Sequence, residues 1–179
     1  MRRFEIQIIS RLRGLPSAAQ LRRWLAAAVA MPAEITLRVV NGAEARVLNR
    51  DYRDRDYATN VLTFAYGGTP LVADIVLCAP VLAREAREQG KALLAHYAHM
   101  CIHGALHASG MDHRKRAQAV AMENREVEIL GTLGFDDPYS SRAWPRGSAG
   151  SGRKRGACRA PSCTKCQRSS RQSRVLSTT

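Results

Sequence analysis

All five histidines of this 179-residue chain lie between positions 96 and 113, in the segment HYAHMCIHGALHASGMDH. His103 and His107 are four residues apart, so on a helix they differ by about 6 Å in rise and about 40° in direction. Imidazoles placed in this way can bind one ion at the usual Zn–N distance of about 2.0–2.1 Å. His99 lies on the same face, but about 12 Å from His107 along the helix. The spacing therefore predicts a metal site whose third ligand comes from beyond the helix.

Gly110 follows this pair, and glycine commonly ends a helix. We expect the chain to fold back there and to bring His113 to the same ion. Three neutral nitrogen ligands leave one coordination position open, as in a catalytic zinc site, where the ion lowers the pKa of a bound water to about 7. The prediction is one Zn²⁺ per chain, held by His103, His107 and His113; Ni²⁺ or another divalent transition metal would also suit three imidazoles. The alternative, a helix with two core histidines and a capped turn, leaves the spacing of Gly110 and His113 unexplained.

Other polar residues near this segment have two interpretations each. His96 and His99 are predicted to be structural or to support a ligand, because the second ring nitrogen of a metal-binding histidine commonly needs a partner; the alternative is that they bind the ion directly. Asp112 either orients a ligand in this way or caps the last helix. The three cations at 114–116 oppose that helix's dipole, which either a phosphate-bearing ligand or solvent exposure would explain.

The same histidine spacing occurs in the metzincin proteases, where a glutamate after the first histidine acts as general base. Gly104 occupies that position here, so that peptide-cleaving mechanism lacks its proton acceptor. A phosphodiester instead requires positive charge around the reacting phosphate, and arginine matches phosphate oxygens. The segment NRDYRDRDYATNVLTF offers Arg50, Arg53 and Arg55, and their spacing does not show which faces the metal.

Strands and helices are predicted to alternate along the chain and to position these residues. Alternating apolar residues and β-forming runs indicate strands, whereas caps, Pro80 and Gly110 indicate helix boundaries. The predicted strands are 4–10, 34–40, 60–64 and 73–78, and the predicted helices are 18–30 with Ser17 as its cap, 43–52, 80–89, 93–109 and 114–133.

The net charge of +13 is unevenly distributed. From Ser140 onward there are ten Lys/Arg and no Asp/Glu, whereas the first 139 residues have 18 Lys/Arg and 15 Asp/Glu, a net of +3. The predicted organisation is a folded domain over 1–139 and a basic, disordered tail over 140–179, which is too poor in apolar residues to offset the entropy of ordering. The three cysteines of the tail lack a fourth ligand for tetrahedral zinc.

The longest uncharged apolar run, residues 24–33, has ten residues, and about 20 are needed to span a bilayer. The basic start MRRFEIQIIS is interrupted by Glu5 and Gln7, unlike the apolar part of a signal peptide. Cys78 and Cys101 lie in apolar stretches without a pairing pattern. We therefore expect a soluble, cytoplasmic protein that does not contact the membrane.

Two segments resemble the YbeY endoribonuclease family. HGALHASGMDH resembles its H-G-x-L-H-x-x-G-x-D-H signature, and YRDRDYATNVLTF resembles its Y-R-x-x-D-x-x-T-N-V-L-S-F block. ADIVLC, REAREQGK and LGFDDPY also match, so the resemblance covers about residues 5–139. There are departures: Thr63 replaces a serine, a mild change, Ala73 replaces a glycine, and Ala108 and Ser109 replace two leucines, which thins the packing there. None of these changes a predicted ligand. The tail has no matching counterpart.

The resemblance implies a zincin-like α+β single domain, with a mixed four-stranded sheet packed with helices and the metal site at the end of a central helix. It implies cleavage of single-stranded RNA, 3′-end maturation of small-subunit (16S) ribosomal RNA, ribosome quality control and the small ribosomal subunit as a partner. The metal ligands carry over to His103, His107 and His113, and the family's functional arginine to Arg53. The alternatives are a non-catalytic RNA-binding ribosome assembly factor with a structural metal site and, disfavoured by Gly104, a metalloprotease.

Overall fold

A computed structural model describes residues 1–111 and 115–140 of the chain. Its elements follow the predicted alternation, with boundaries that differ by only a few residues. The strands are β1 (Arg2–Ile8), β2 (Ala33–Val40), β3 (Val61–Gly67) and β4 (Leu71–Cys78), and the helices are α1 (Ala18–Ala28), α2 (Gly42–Arg53), α3 (Ala79–Glu88), α4 (Leu93–Ala108) and α5 (Arg116–Thr132).

The four strands form one mixed sheet in the order β1-β2-β4-β3. β1, β2 and β4 are parallel, and β3 pairs with β4 in the antiparallel direction at the edge. The short connection from β3 to β4 makes this hairpin possible, whereas the parallel pairs need helical crossovers. The predicted α+β class and mixed four-stranded sheet are confirmed.

The main core lies on one face of the sheet. Inward-facing residues of β2 and β4, among them Leu37 and Ile75, pack with apolar residues of α1, α4 and α5. A smaller cluster on the opposite face joins Leu62 and Val76 to α2 and α3. As a result α4 is enclosed, and most of its residues are buried, including Tyr97 and Ile102.

The ends of α1 and α4 were predicted from single residues, and both predictions are confirmed. Ser17 caps α1: its hydroxyl accepts from the backbone N–H of Gln20 at 3.2 Å, and the Gln20 side chain accepts from the backbone N–H of Ser17 at 2.9 Å. α4 ends just before Gly110, whose φ of +89° is the left-handed conformation that glycine tolerates.

The start of α5 differs from the prediction. The helix begins at Arg116 rather than 114, and Lys115 is its N-cap residue. The backbone N–H of Lys115 donates to the Gln118 side chain at 3.2 Å. The third residue of the helix therefore supplies the hydrogen-bond partner of the N-cap N–H. The interpretation of Asp112 as the N-cap is therefore wrong; Asp112 itself lies outside the described residues.

Two further predictions fall outside the described residues: the third metal ligand His113, and the tail 140–179 beyond Ser140. Within 1–111 and 115–140, none of the helices is long and apolar enough to cross a membrane.

Candidate active site

The site is built on α4, which presents four histidines along its length. The side chains of His96 and His99 are buried, whereas that of His103 is 23% exposed and His107 is half-buried. The rings of His103 and His107 lie with centroids 4.6 Å apart at 81° to one another. The structure thus brings together the two helical ligands that the sequence predicted, near the exposed end of the helix.

Glu126 on α5 joins two of these histidines. Its Oε1 lies 2.7 Å from Nδ1 of His103, and its Oε2 lies 3.0 Å from Nε2 of His99. The hydroxyl of Tyr139 also donates to Oε2 and lies 3.2 Å from Nε2 of His99. Three side chains from two other parts of the chain therefore surround one buried carboxylate.

The protonation of this cluster follows from its contacts. Burial alone would raise the pKa of Glu126, but hydrogen bonds from His103, His99 and Tyr139 outweigh it and hold that pKa at about 2. Burial lowers the pKa of His99, which favours its neutral form. An ionised carboxylate only accepts hydrogen bonds, so Nδ1 of His103 carries a proton and Nε2 keeps its lone pair when the ring is neutral. That is the form of imidazole that binds a metal ion.

The donor chemistry therefore fits a zinc-class ion, with two imidazoles on one helix face and a carboxylate behind one of them. His113, the third predicted ligand, is not among the described residues, so the complete set is a prediction. Within the described ranges alone, no three His, Cys, Asp or Glu side chains are grouped in a way that could hold a metal ion.

His96 forms a second histidine–carboxylate pair, one that does not reach the ligands. Its Nε2 lies 3.0 Å from Oε2 of Glu85 on α3, and Asn60 donates to the same oxygen at 3.2 Å. The pair ties α4 to α3 and to the residue before β3. His96 and His99 are thus both buried and both bound to carboxylates; the contacts of His96 are structural, whereas His99 shares its carboxylate with His103.

Gly104 lies at a close approach of α4 to the sheet. A Cβ atom added there would come within 3.0 Å of Ile75 Cγ2, 3.2 Å of Thr63 Oγ1 and 3.3 Å of Val61 Cγ2. The hydroxyl of Thr63 donates to the Gly104 carbonyl at 3.4 Å. The space that a glutamate would need at this position is therefore filled by the neighbouring strands, so the metzincin base could not be accommodated here.

Arg53 contacts Thr63, the residue of β3 that lies against Gly104. Arg53 is the last residue of α2, is exposed, and donates from Nη2 to the carbonyl of Thr63 at 3.1 Å. Thr63 in turn contacts Gly104, the residue after His103. Of the other two arginines that the sequence left open, Arg50 pairs with Asp51 at 2.9 Å and Arg55 contacts the Tyr57 hydroxyl at 3.3 Å. Arg53 is therefore linked through Thr63 to the residue that follows His103.

Glu126 and Tyr139 are not among the residues that the sequence predicted for the site. A signal for Glu126 was present: Met122, Ile129 and Leu130 are buried on α5, and Glu126 shares their helical face. A glutamate on an apolar face is almost always paired. Tyr139 lies in the LGFDDPY segment, where spacing alone gives no indication of its partner.

The fold and site together define a class of protein: a mixed α+β domain whose central helix carries a pair of histidines at metal-binding spacing, beside an arginine at the sheet edge. A family model described as "Endoribonuclease YbeY" matches residues 16–134. The chain belongs to the YbeY endoribonuclease family.

Individual relatives agree with this assignment. The chain is 60% identical over 119 residues to the endoribonuclease YbeY of Methylibium petroleiphilum, covering 66% of this chain and 80% of the relative. It is 54% identical over 142 residues to that of Thiobacillus denitrificans, covering 78% and 97%. Among solved structures, TM1509 from Thermotoga maritima is similar with a TM-score of 0.50 and 21% identity over 75% of this chain and 99% of that one, a likeness of fold.

Proposed function

We propose that this protein is a metal-dependent endoribonuclease that cleaves single-stranded RNA in the cytoplasm. In this proposal it acts in 3′-end maturation of small-subunit ribosomal RNA. It also takes part in ribosome quality control, with the small ribosomal subunit as its partner. The observation that carries the proposal is the paired rings of His103 and His107, with Nδ1 of His103 bound to a buried carboxylate. Family membership supplies the reaction class.

His103, His107 and His113 would hold Zn²⁺, or Ni²⁺ in its place. A bound ion would supply Lewis-acid activation of the attacking water. Nε2 of His103 would bind the ion through its lone pair, because Nδ1 of the same ring donates a hydrogen bond to Glu126. The exposed guanidinium of Arg53 is held at the sheet edge by the Thr63 carbonyl, which leaves its charge available to a phosphate.

The test is cleavage of single-stranded and duplex fragments of ribosomal RNA by the purified full-length chain, with its metal content measured in parallel. We expect about one metal ion per chain and cleavage that prefers single strands. Chelation should stop the cleavage, and returning Zn²⁺ should restore it. Cleavage that survives complete metal removal would overturn the metal mechanism, and tight RNA binding without any cleavage would favour the assembly-factor alternative.

Arg53→Ala is expected to reduce the rate of RNA cleavage by about 10²-fold with little loss of metal, because one positioned charge near the transferring phosphate is removed. The matched control is Arg46→Ala on the same helix. Its guanidinium is paired with the carboxylate of Asp56 by contacts of 2.6 and 2.5 Å, so its charge is already neutralised by a neighbour. Single-turnover cleavage rates measure both variants. Equal losses in the two, or full activity of Arg53→Ala, would contradict this role.

Deleting residues 141–179 is expected to weaken RNA affinity and its dependence on salt, because the deletion removes ten Lys/Arg and no acidic residue. For single strands the logarithmic salt slope falls by about 0.7 for each phosphate that the protein ceases to neutralise. Titrations at several salt concentrations measure the slope. A full-length chain with the ten basic residues changed to glutamine is the control for length. A slope that does not change would show that the tail does not bind RNA.

A further inference from the structure

Glu126 is the most completely buried charged residue among the described residues, with 0% of its surface exposed. Its neighbours on α5, Met122 and Ile129, are core residues, so an apolar side chain would suit its position. Burying a carboxylate costs several kcal/mol unless its partners compensate. A charge kept in such a place needs an explanation beyond packing.

The contacts of its two oxygens differ. Oε2 is held by Tyr139 and by His99, the latter at 3.0 Å, on the side away from the exposed end of α4. Oε1 is thereby directed at Nδ1 of His103, at 2.7 Å. His99 and Tyr139 fix the carboxylate, and the carboxylate fixes one nitrogen and the plane of the His103 ring.

We infer that Glu126 is a positioning residue of the metal site: it fixes the Nδ1–H tautomer and the ring orientation of His103, so that Nε2 is directed at the ion, with His99 and Tyr139 as its anchors. The inference rests on the proposed function, in which His103 is a ligand. Carboxylates that accept from the second nitrogen of a metal-binding histidine commonly raise metal affinity about 10–100-fold.

The chain provides a matched control in Glu85. It accepts from a buried histidine of the same helix at the same 3.0 Å separation that Glu126 has from His99, but its partner is His96, which is not a proposed ligand. We expect Glu126→Leu to weaken Zn²⁺ affinity about 10–100-fold, and Glu126→Gln, which keeps one neutral acceptor, to weaken it less. Glu85→Gln should leave the affinity unchanged. Calorimetric titration of the full chain with Zn²⁺ measures all three.

A second readout separates positioning from mere loss of structure. Nitrogen-15 NMR of the metal-free full chain reports which ring nitrogen of His103 carries the proton. The wild type and Glu85→Gln should show the Nδ1–H form, and Glu126→Leu a mixture of the two tautomers. Tyr139→Phe, at a partly exposed position, should shift both readouts in the same direction by a smaller amount even if the Glu126 variants fold poorly.

The two levels of the proposal fail in different ways. A wild-type chain that binds neither Zn²⁺ nor Ni²⁺ would overturn the metal site of the proposed function. A wild type that binds Zn²⁺, together with Glu126 variants that match Glu85→Gln in affinity and keep the Nδ1–H tautomer, would overturn the positioning role alone.

Discussion

Replacing His107 by alanine is expected to lower metal-dependent RNA cleavage by at least about 10²-fold while the domain stays folded. Structural zinc sites of four ligands gain roughly 10–16 kcal/mol of binding free energy, so the loss of one ligand is worth several kcal/mol. His107 is half-buried at the end of α4, outside the main apolar core, so its truncation removes little packing. The measurements are bound metal per chain, thermal unfolding and single-strand cleavage.

His96→Gln is the matched control for this variant. It replaces another histidine of the same helix, and a glutamine can still donate to Glu85. It should retain the metal and the cleavage activity even if its unfolding temperature falls. Undiminished cleavage by His107→Ala, or equal loss of metal in both variants, would remove His107 from the ligand set.

The sequence was sufficient to predict the parts of this site that depend on short-range geometry. His103 and His107 share a helix face at any packing of that helix, and Gly110 ends the helix through its own backbone freedom. The sheet was accessible for a similar reason, because strands such as β2 alternate buried and exposed residues.

The supporting residues depend on tertiary packing, which periodicity does not specify. Glu126 meets His103 from 23 residues away because α5 packs against α4, and Tyr139 arrives from beyond the end of α5. The contact of Arg53 likewise depends on tertiary packing, because it donates to a carbonyl of β3 and not to its own helix. The charge and spacing of three arginines could not show which of them has that contact.

Gly104 has one interpretation from the sequence and a second one from the structure. From the sequence, Gly104 indicated that a metzincin-type base is missing; in the fold, it lies at a close contact of α4 with β3 and β4. The two interpretations are consistent, because a helix packed this closely on the sheet has no room for a glutamate. The close contact also places Gly104, the residue after His103, beside Thr63, whose carbonyl accepts a hydrogen bond from Arg53. Backbone proximity at Gly104 therefore holds the metal side and the phosphate side of the proposed site together.

Gly104→Ala is accordingly expected to lower the free energy of unfolding by about 1–2 kcal/mol, because overpacking costs of about 1–3 kcal/mol exceed the gain in helix propensity. Gly131→Ala on α5 is the matched control: in the described part of the chain, no atom outside its own helical turn lies within 4 Å of its added Cβ, so stability should rise by up to about 1 kcal/mol. Urea unfolding measures both.

We also expect Gly104→Ala to slow RNA cleavage, since displacement of Thr63 moves the carbonyl that binds Arg53. Equal stabilisation by the two alanines would show that α4 can move off the sheet freely, and the close contact at Gly104 could then not be what positions Arg53.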